Sequence, residues 1–279
     1  MGETSIPAVD NYPLAATLIE GSGDGPVVIF SSATAVPRTF YNKFAQYLVD
    51  RGAAAAVTYD YRGIADSSPA RFRGFNARMR DWAFQDFTGV VEWVKARYPG
   101  RQIVGVGHSF GGQALGLIEP QDAFSRYAAV ATISGHFMNL GNPYTMWATI
   151  NLLGRPMTHL YGYAPQSRFG MPMPMPKHVF LEWANWCLKP GYFFDDPTMD
   201  AQARYLRYDR PLLSVRISDD IWGTVKATEG VIGRYHSAQI DRMVLTPEDA
   251  GGEAIGHLGF FKSRHESTLW PRVADWLLG

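Results

Sequence analysis

The stretch Val104-Gly105-Val106-Gly107-His108-Ser109-Phe110-Gly111-Gly112 constrains this chain more than any other. Ile103 to Val106 is an apolar run suited to a central strand, and Gln113-Ala114-Leu115-Gly116-Leu117-Ile118 starts a helix within a residue or two of the turn. Ser109 therefore sits at a tight corner. So abrupt a change from strand to helix strains the backbone and crowds its neighbours, which is why glycines stand two residues before and two after the serine, at Gly107 and Gly111. A dinucleotide-binding turn also joins strand to helix through glycines. Here Gly105-Val106-Gly107 begins such a fingerprint, but its sixth position is Phe110 and the segment lies far from the N-terminus, which disfavours that reading.

The flanking chain alternates strand and helix. Tyr12 to Glu20 reads as an early strand, and Val27-Val28-Ile29-Phe30 as a strand covered on both faces. Pro37 opens a helix whose apolar positions Phe40, Phe44 and Leu48 repeat at helical spacing until Gly52. Ala54 to Tyr59 is the next strand, and Phe87, Val90, Val91 and Val94 mark the buried stripe of a helix ending near Tyr98-Pro99-Gly100. Ala128 to Ser134 gives a further strand after the serine. This rhythm predicts an α/β fold, with a mostly parallel central sheet and helices on both faces.

From residue 135 to 209 the character changes. Tryptophan, tyrosine and phenylalanine accumulate, and Met171-Pro172-Met173-Pro174-Met175-Pro176 cannot form a regular helix. The segment reads as an inserted cap or lid, with residues 1–134 and 210–279 as the core. Some of its aromatic and methionine side chains are expected to face a pocket, the others to form the insert's own small core.

The sheet resumes at Pro211 to Ile217, followed by Ser218-Asp219-Asp220-Ile221-Trp222-Gly223. An acid here has a chemical use, because a histidine base must be held in one tautomer and its imidazolium stabilised. Asp219 and Asp220 both qualify. Gln239 to Leu245 reads as the last strand. The loop after it contains Ala254-Ile255-Gly256-His257-Leu258-Gly259-Phe260-Phe261, and a final helix buries Val273, Trp276 and Leu277.

Taken together, Gly107-His108-Ser109-Phe110-Gly111-Gly112, the Asp60-Tyr61-Arg62-Gly63 turn, the acid doublet and Gly256-His257-Leu258-Gly259-Phe260-Phe261 resemble the α/β-hydrolase family along nearly the whole chain. The likeness is greatest to bacterial members similar to serine aminopeptidases and monoacylglycerol lipases. It implies Ser109 as nucleophile, His257 as base and Asp220, the second acid of the doublet, as its partner, in the order serine, acid, histidine. His136 and His265 are the competing histidines. It also implies an oxyanion hole built from the amides of Phe110 and Thr34, with the Thr34 hydroxyl as a third donor. Most relatives carry His-Gly after the third strand, where this chain has Ser32-Ala33 before Thr34-Ala35, and a main-chain donor survives that change. A cap at this point of the fold commonly roofs the active site.

The resulting expectation is a serine hydrolase that cleaves a small to medium carboxylic ester with an apolar or aromatic part. An amidase, an aminopeptidase or an acyltransferase would use the same residues, and a non-catalytic protein binding a small ligand is the alternative of another class. No metal or cofactor is expected, since there is no H-E-x-x-H, cysteine cluster or nucleotide fingerprint. Twenty-six basic against twenty-six acidic residues give no electrostatic case for nucleic acid. No apolar stretch is long enough to span a bilayer. The opening Met1-Gly2-Glu3-Thr4-Ser5 lacks a secretory pattern and Cys187 is the single cysteine, so a cytoplasmic location is expected.

Overall fold

A computed structural model of the protein describes residues 1–165 and 172–279. Eight strands form one sheet: β1 (Gly2–Pro7), β2 (Pro13–Glu20), β3 (Val27–Ser31), β4 (Ala55–Tyr59), β5 (Ile103–His108), β6 (Phe124–Val130), β7 (Leu212–Ile217) and β8 (Ile240–Leu245). Their order across the sheet is β1-β2-β4-β3-β5-β6-β7-β8. β2 is antiparallel to both its neighbours. From β4 to β8 every pairing is parallel.

Period-two alternation along the strands divides the apolar residues between two cores. Val27 and Ile29 face one side, Val28 and Phe30 the other. On the Val28 side lie α1 (Asn42–Asp50), through Phe44 and Leu48, and the C-terminal helix α8 (Trp270–Leu278), through Trp270, Val273 and Leu277. The opposite core takes Val90, Val91 and Val94 of α2 (Thr88–Arg97), Phe110 and Ala114 of α3 (Phe110–Leu115), and Val231 and Ile232 of α7 (Val225–Ile232). Because both faces are covered, the central strands are continuously apolar, as in the fully buried β3.

Three sequence expectations need correction. The strand placed at 128–134 runs from Phe124 to Val130, because Ala131 turns to a φ of 48° and ends it. The apolar run continues past the strand because Ile133 goes on to line a cavity. The helix after the serine begins at once, at Phe110, and ends at Leu115. β1 was not anticipated, since only Ile6 of its six residues is fully buried and so leaves little apolar signature.

Between β6 and β7 the chain builds a separate set of helices. α4 (Pro143–Ala148) and α5 (Arg155–Tyr161) are joined through a π-helical segment, Thr149–Gly154, and α6 (Lys177–Cys187) follows. Tyr163–Ala164 pairs antiparallel with Met175–Pro176, so that end of the Met-Pro run is extended. Met171 lies outside the described residues. No helix among those described is long and apolar enough to cross a membrane.

Candidate active site

The chemistry-bearing residues lie just beyond the C-terminal ends of β3, β5, β7 and β8, the edge at which parallel sheets gather their ligand-binding loops. Ser109 follows β5 with a φ of 52° and ψ of −109°, outside the regions open to most side chains. The surrounding packing holds it there. A Cβ on Gly111 would come within 1.9 Å of the Ser31 carbonyl oxygen, and one on Gly107 within 2.5 Å of the Gly112 nitrogen. The turn thus presses against the end of β3, whose continuation carries Ala33 and Thr34.

The two acids after β7 do different things. Asp220 Oδ2 is 2.6 Å from His257 Nδ1, and its Oδ1 accepts the N–H of Trp222 at 2.9 Å, an Asx turn two residues on. The Asp220 side chain is almost wholly buried, that of His257 only slightly exposed. Asp219 instead accepts the backbone N–H groups of Ile255 at 2.9 Å and Gly256 at 3.0 Å. Gly256 has a φ of 59°, which explains a glycine directly before His257. The indole of Trp222 meets the His257 ring edge-on, with centroids 4.9 Å apart.

Ser109, His257, Asp219, Asp220, Trp222 and Thr34 all line one cavity of about 490 Å³. The hydroxyl of Ser109 makes no hydrogen bond to another described residue, nor do the amides of Phe110 and Thr34. Ser109 and Thr34 line the cavity, and the Phe110 amide follows Ser109 directly at the start of α3. The Phe110 side chain turns away into the core, edge-on to Tyr61 and Trp82. The competing histidines are engaged elsewhere: His136 Nδ1 is 3.1 Å from the Cys187 carbonyl, and His265 Nε2 accepts from Arg264. Neither meets a carboxylate.

Much of the remaining lining is apolar. It comprises Met146, Ile150 and Leu153 from the α4–α5 segment, Phe180 and Trp183 from α6, and Leu140. Cys187 sits beneath, fully buried, and burial pushes its thiol well above the usual range, which leaves it unreactive. The Asp60-Tyr61-Arg62-Gly63 turn serves packing. The buried Asp60 carboxylate accepts the Arg38 backbone N–H and pairs with its guanidinium, while Arg62 is held by Asp86 and Asp10.

Sequence reasoning missed the clamp made by Asp219, the Trp222 ring and the partners of His108. The Asx spacing of Asp220 and Trp222 was visible in the sequence. The other contacts join residues distant in the chain and carry no local signal.

The model of the alpha/beta hydrolase family matches residues 27–268. No curated protein matches the chain. Among solved structures, an esterase from Exiguobacterium antarcticum is similar with a TM-score of 0.64 at 15% identity, covering 100% of both chains. An esterase from Pyrococcus furiosus is similar with a TM-score of 0.63 at 15% identity, over 99% of this chain and 89% of that one. Est1E from Butyrivibrio proteoclasticus with ferulic acid bound has a TM-score of 0.60 at 13% identity, over 99% and 98%.

Proposed function

The chain belongs to the α/β-hydrolase family, and from that premise we propose that it is a serine hydrolase acting on carboxylic esters. Ser109 attacks the carbonyl carbon while Nε2 of His257 takes its proton. Asp220 keeps His257 in the tautomer with hydrogen on Nδ1 and stabilises the imidazolium that forms. The Phe110 and Thr34 amides receive the oxyanion, each donor of this kind contributing roughly 3 to 4 kcal/mol to the barrier reduction. Collapse of the tetrahedral intermediate expels the alcohol, protonated by His257. Water then enters by the reverse route and releases the acid, restoring Ser109.

The observation that carries this reading is the 2.6 Å contact of Asp220 with His257 Nδ1, made in the same cavity as a strained serine with a free hydroxyl. The segment 135–209 is the cap in this scheme, a reading supported by Met146, Ile150, Phe180 and Trp183 lining the cavity that also holds Ser109. Apolar walls and a volume of about 490 Å³ suit an acyl group of modest size, aliphatic or aromatic. The ferulic acid held by Est1E is an aromatic acid of that kind.

The test is intact-protein mass spectrometry after treatment with a small fluorophosphonate. One adduct on the wild type, absent from Ser109→Ala and strongly slowed in His257→Ala, is the expected result. No adduct on the wild type would overturn the assignment. A panel of ester, thioester and amide substrates then ranks the leaving groups.

A further inference from the structure

The peptide carbonyl of His257 accepts a hydrogen bond at 2.9 Å from Nε2 of His108, the residue immediately before Ser109. A carbonyl oxygen only accepts, so Nε2 carries a proton. The other ring nitrogen, Nδ1, lies 2.9 Å from the Tyr41 hydroxyl. That hydroxyl already accepts the amide N–H of Ala33 at 2.9 Å, which leaves its own hydrogen for Nδ1. The chain of donors runs one way: Ala33 N–H to Tyr41, Tyr41 O–H to His108, His108 Nε2–H to His257.

Three members of this chain are buried, His108 at 0% exposed, Tyr41 at 1% and Ala33 at 3%, and His257 is partly buried. Burial, and then repulsion from His257, hold the His108 imidazole well below the usual range, so Nδ1 remains an acceptor. The ring of Phe261 packs against both Tyr41 and His108, with centroids 4.8 Å and 4.9 Å away. An apolar side chain would fill this space at lower desolvation cost. A polar chain with every member satisfied fixes a single arrangement of the parts it joins. These parts are the loop after β3, which continues into Thr34, and the loop after β8, which carries His257.

We propose that His108 is a positioning residue: together with Tyr41 it forms a strut that fixes the backbone of His257 relative to the loop bearing Thr34. The proposal rests on the reading of Ser109, His257 and Thr34 as nucleophile, base and oxyanion donor. Asp220 sets the orientation of the histidine ring, and the strut sets where the ring is hung. The base and the oxyanion donor act on the same tetrahedral centre, so their separation matters. A drift of about 1 Å between such groups costs on the order of 100-fold in rate.

Two substitutions of His108 separate positioning from packing. The amide nitrogen of glutamine reaches the place of Nε2 and can still donate to the His257 carbonyl, whereas that of asparagine reaches only the place of Nδ1. In His108→Asn, kcat for ester hydrolysis and the rate of fluorophosphonate labelling at Ser109 are expected to fall about tenfold to 100-fold. KM is expected to stay unchanged. His108→Gln should recover most of the loss, and Tyr41→Phe should fall between the two. If the strut only fills space, both His108 variants melt earlier and turn over alike, and equal kcat in the two overturns the proposal. Should His108→Asn fail to fold, Tyr41→Phe decides, and wild-type kcat in that variant overturns it. An unlabelled wild type removes the reading of the site and the strut with it. A labelled wild type with an unaffected His108→Asn removes the strut alone.

Discussion

Asp219 accepts the backbone N–H of Gly256 at 3.0 Å, one residue before the histidine whose ring its neighbour Asp220 holds. Adjacent carboxylates thus grip one loop at two points, one by its backbone and one by its side chain. The expected consequences differ. Asp220→Asn should lower kcat by about 10⁴-fold, through loss of the correct tautomer, with little change in melting temperature. Asp219→Ala should lower stability by about 2 kcal/mol, since it strands two N–H groups, and lower kcat far less. Steady-state kinetics and thermal melts on the two variants check this. The reverse pattern would assign the base's partner to Asp219.

Gly111→Ala should be poorly tolerated, because the new methyl lies 1.9 Å from a backbone oxygen rather than from a movable side chain. A cost of about 3 kcal/mol is expected, together with displacement of Ser109. Urea unfolding gives the first quantity and the fluorophosphonate labelling rate the second.

The buried His108 makes folding stability depend on pH. Its pKa is lowered in the folded state, so below the unfolded value of about 6.5 the unfolded chain takes up a proton that the native protein refuses. Stability is therefore lost as pH falls through that range. Between pH 7.5 and 5.5 this one group is expected to remove on the order of 1 kcal/mol. His108→Gln should lack that share of the decline, and paired urea titrations at the two pH values measure the difference.

Trp183 lines the same cavity as Ser109. Trp183→Ala should lengthen the acyl group that is accepted, raising kcat/KM for a long-chain ester relative to a short one by about 10-fold. A series of p-nitrophenyl esters from acetate to decanoate tests this. An unchanged chain-length profile would place the acyl group elsewhere in the cavity.

Much of the layout was legible because the relevant signals are local. Gly107 and Gly111 flank Ser109 for steric reasons visible at that spacing, and the continuous apolar runs of β3 and β5 report burial on both faces. The α/β fold and family membership follow from those signals. The choice between Asp219 and Asp220 was not local, because it depends on which way each side chain leaves the same turn. β1 escaped notice for a different reason, as an edge strand exposes most of its residues. In β6 the apolar pattern overran the strand, since a residue lining a cavity is as hydrophobic as one in a core. The strut through Tyr41 and His108 joins three distant segments, and nothing in His108 itself distinguishes it from an ordinary residue beside a serine.

β8 pairs with β7 alone and stands at the rim of the sheet, with most of its residues partly or fully exposed. The loop that bears His257 hangs from this strand, whereas Ser109 is rooted in the middle of the sheet. Warming frays a rim before a centre. On the proposed assignment the base is then expected to depart while Ser109 is still in its native corner, so that on heating the loss of fluorophosphonate labelling precedes the loss of helical circular dichroism.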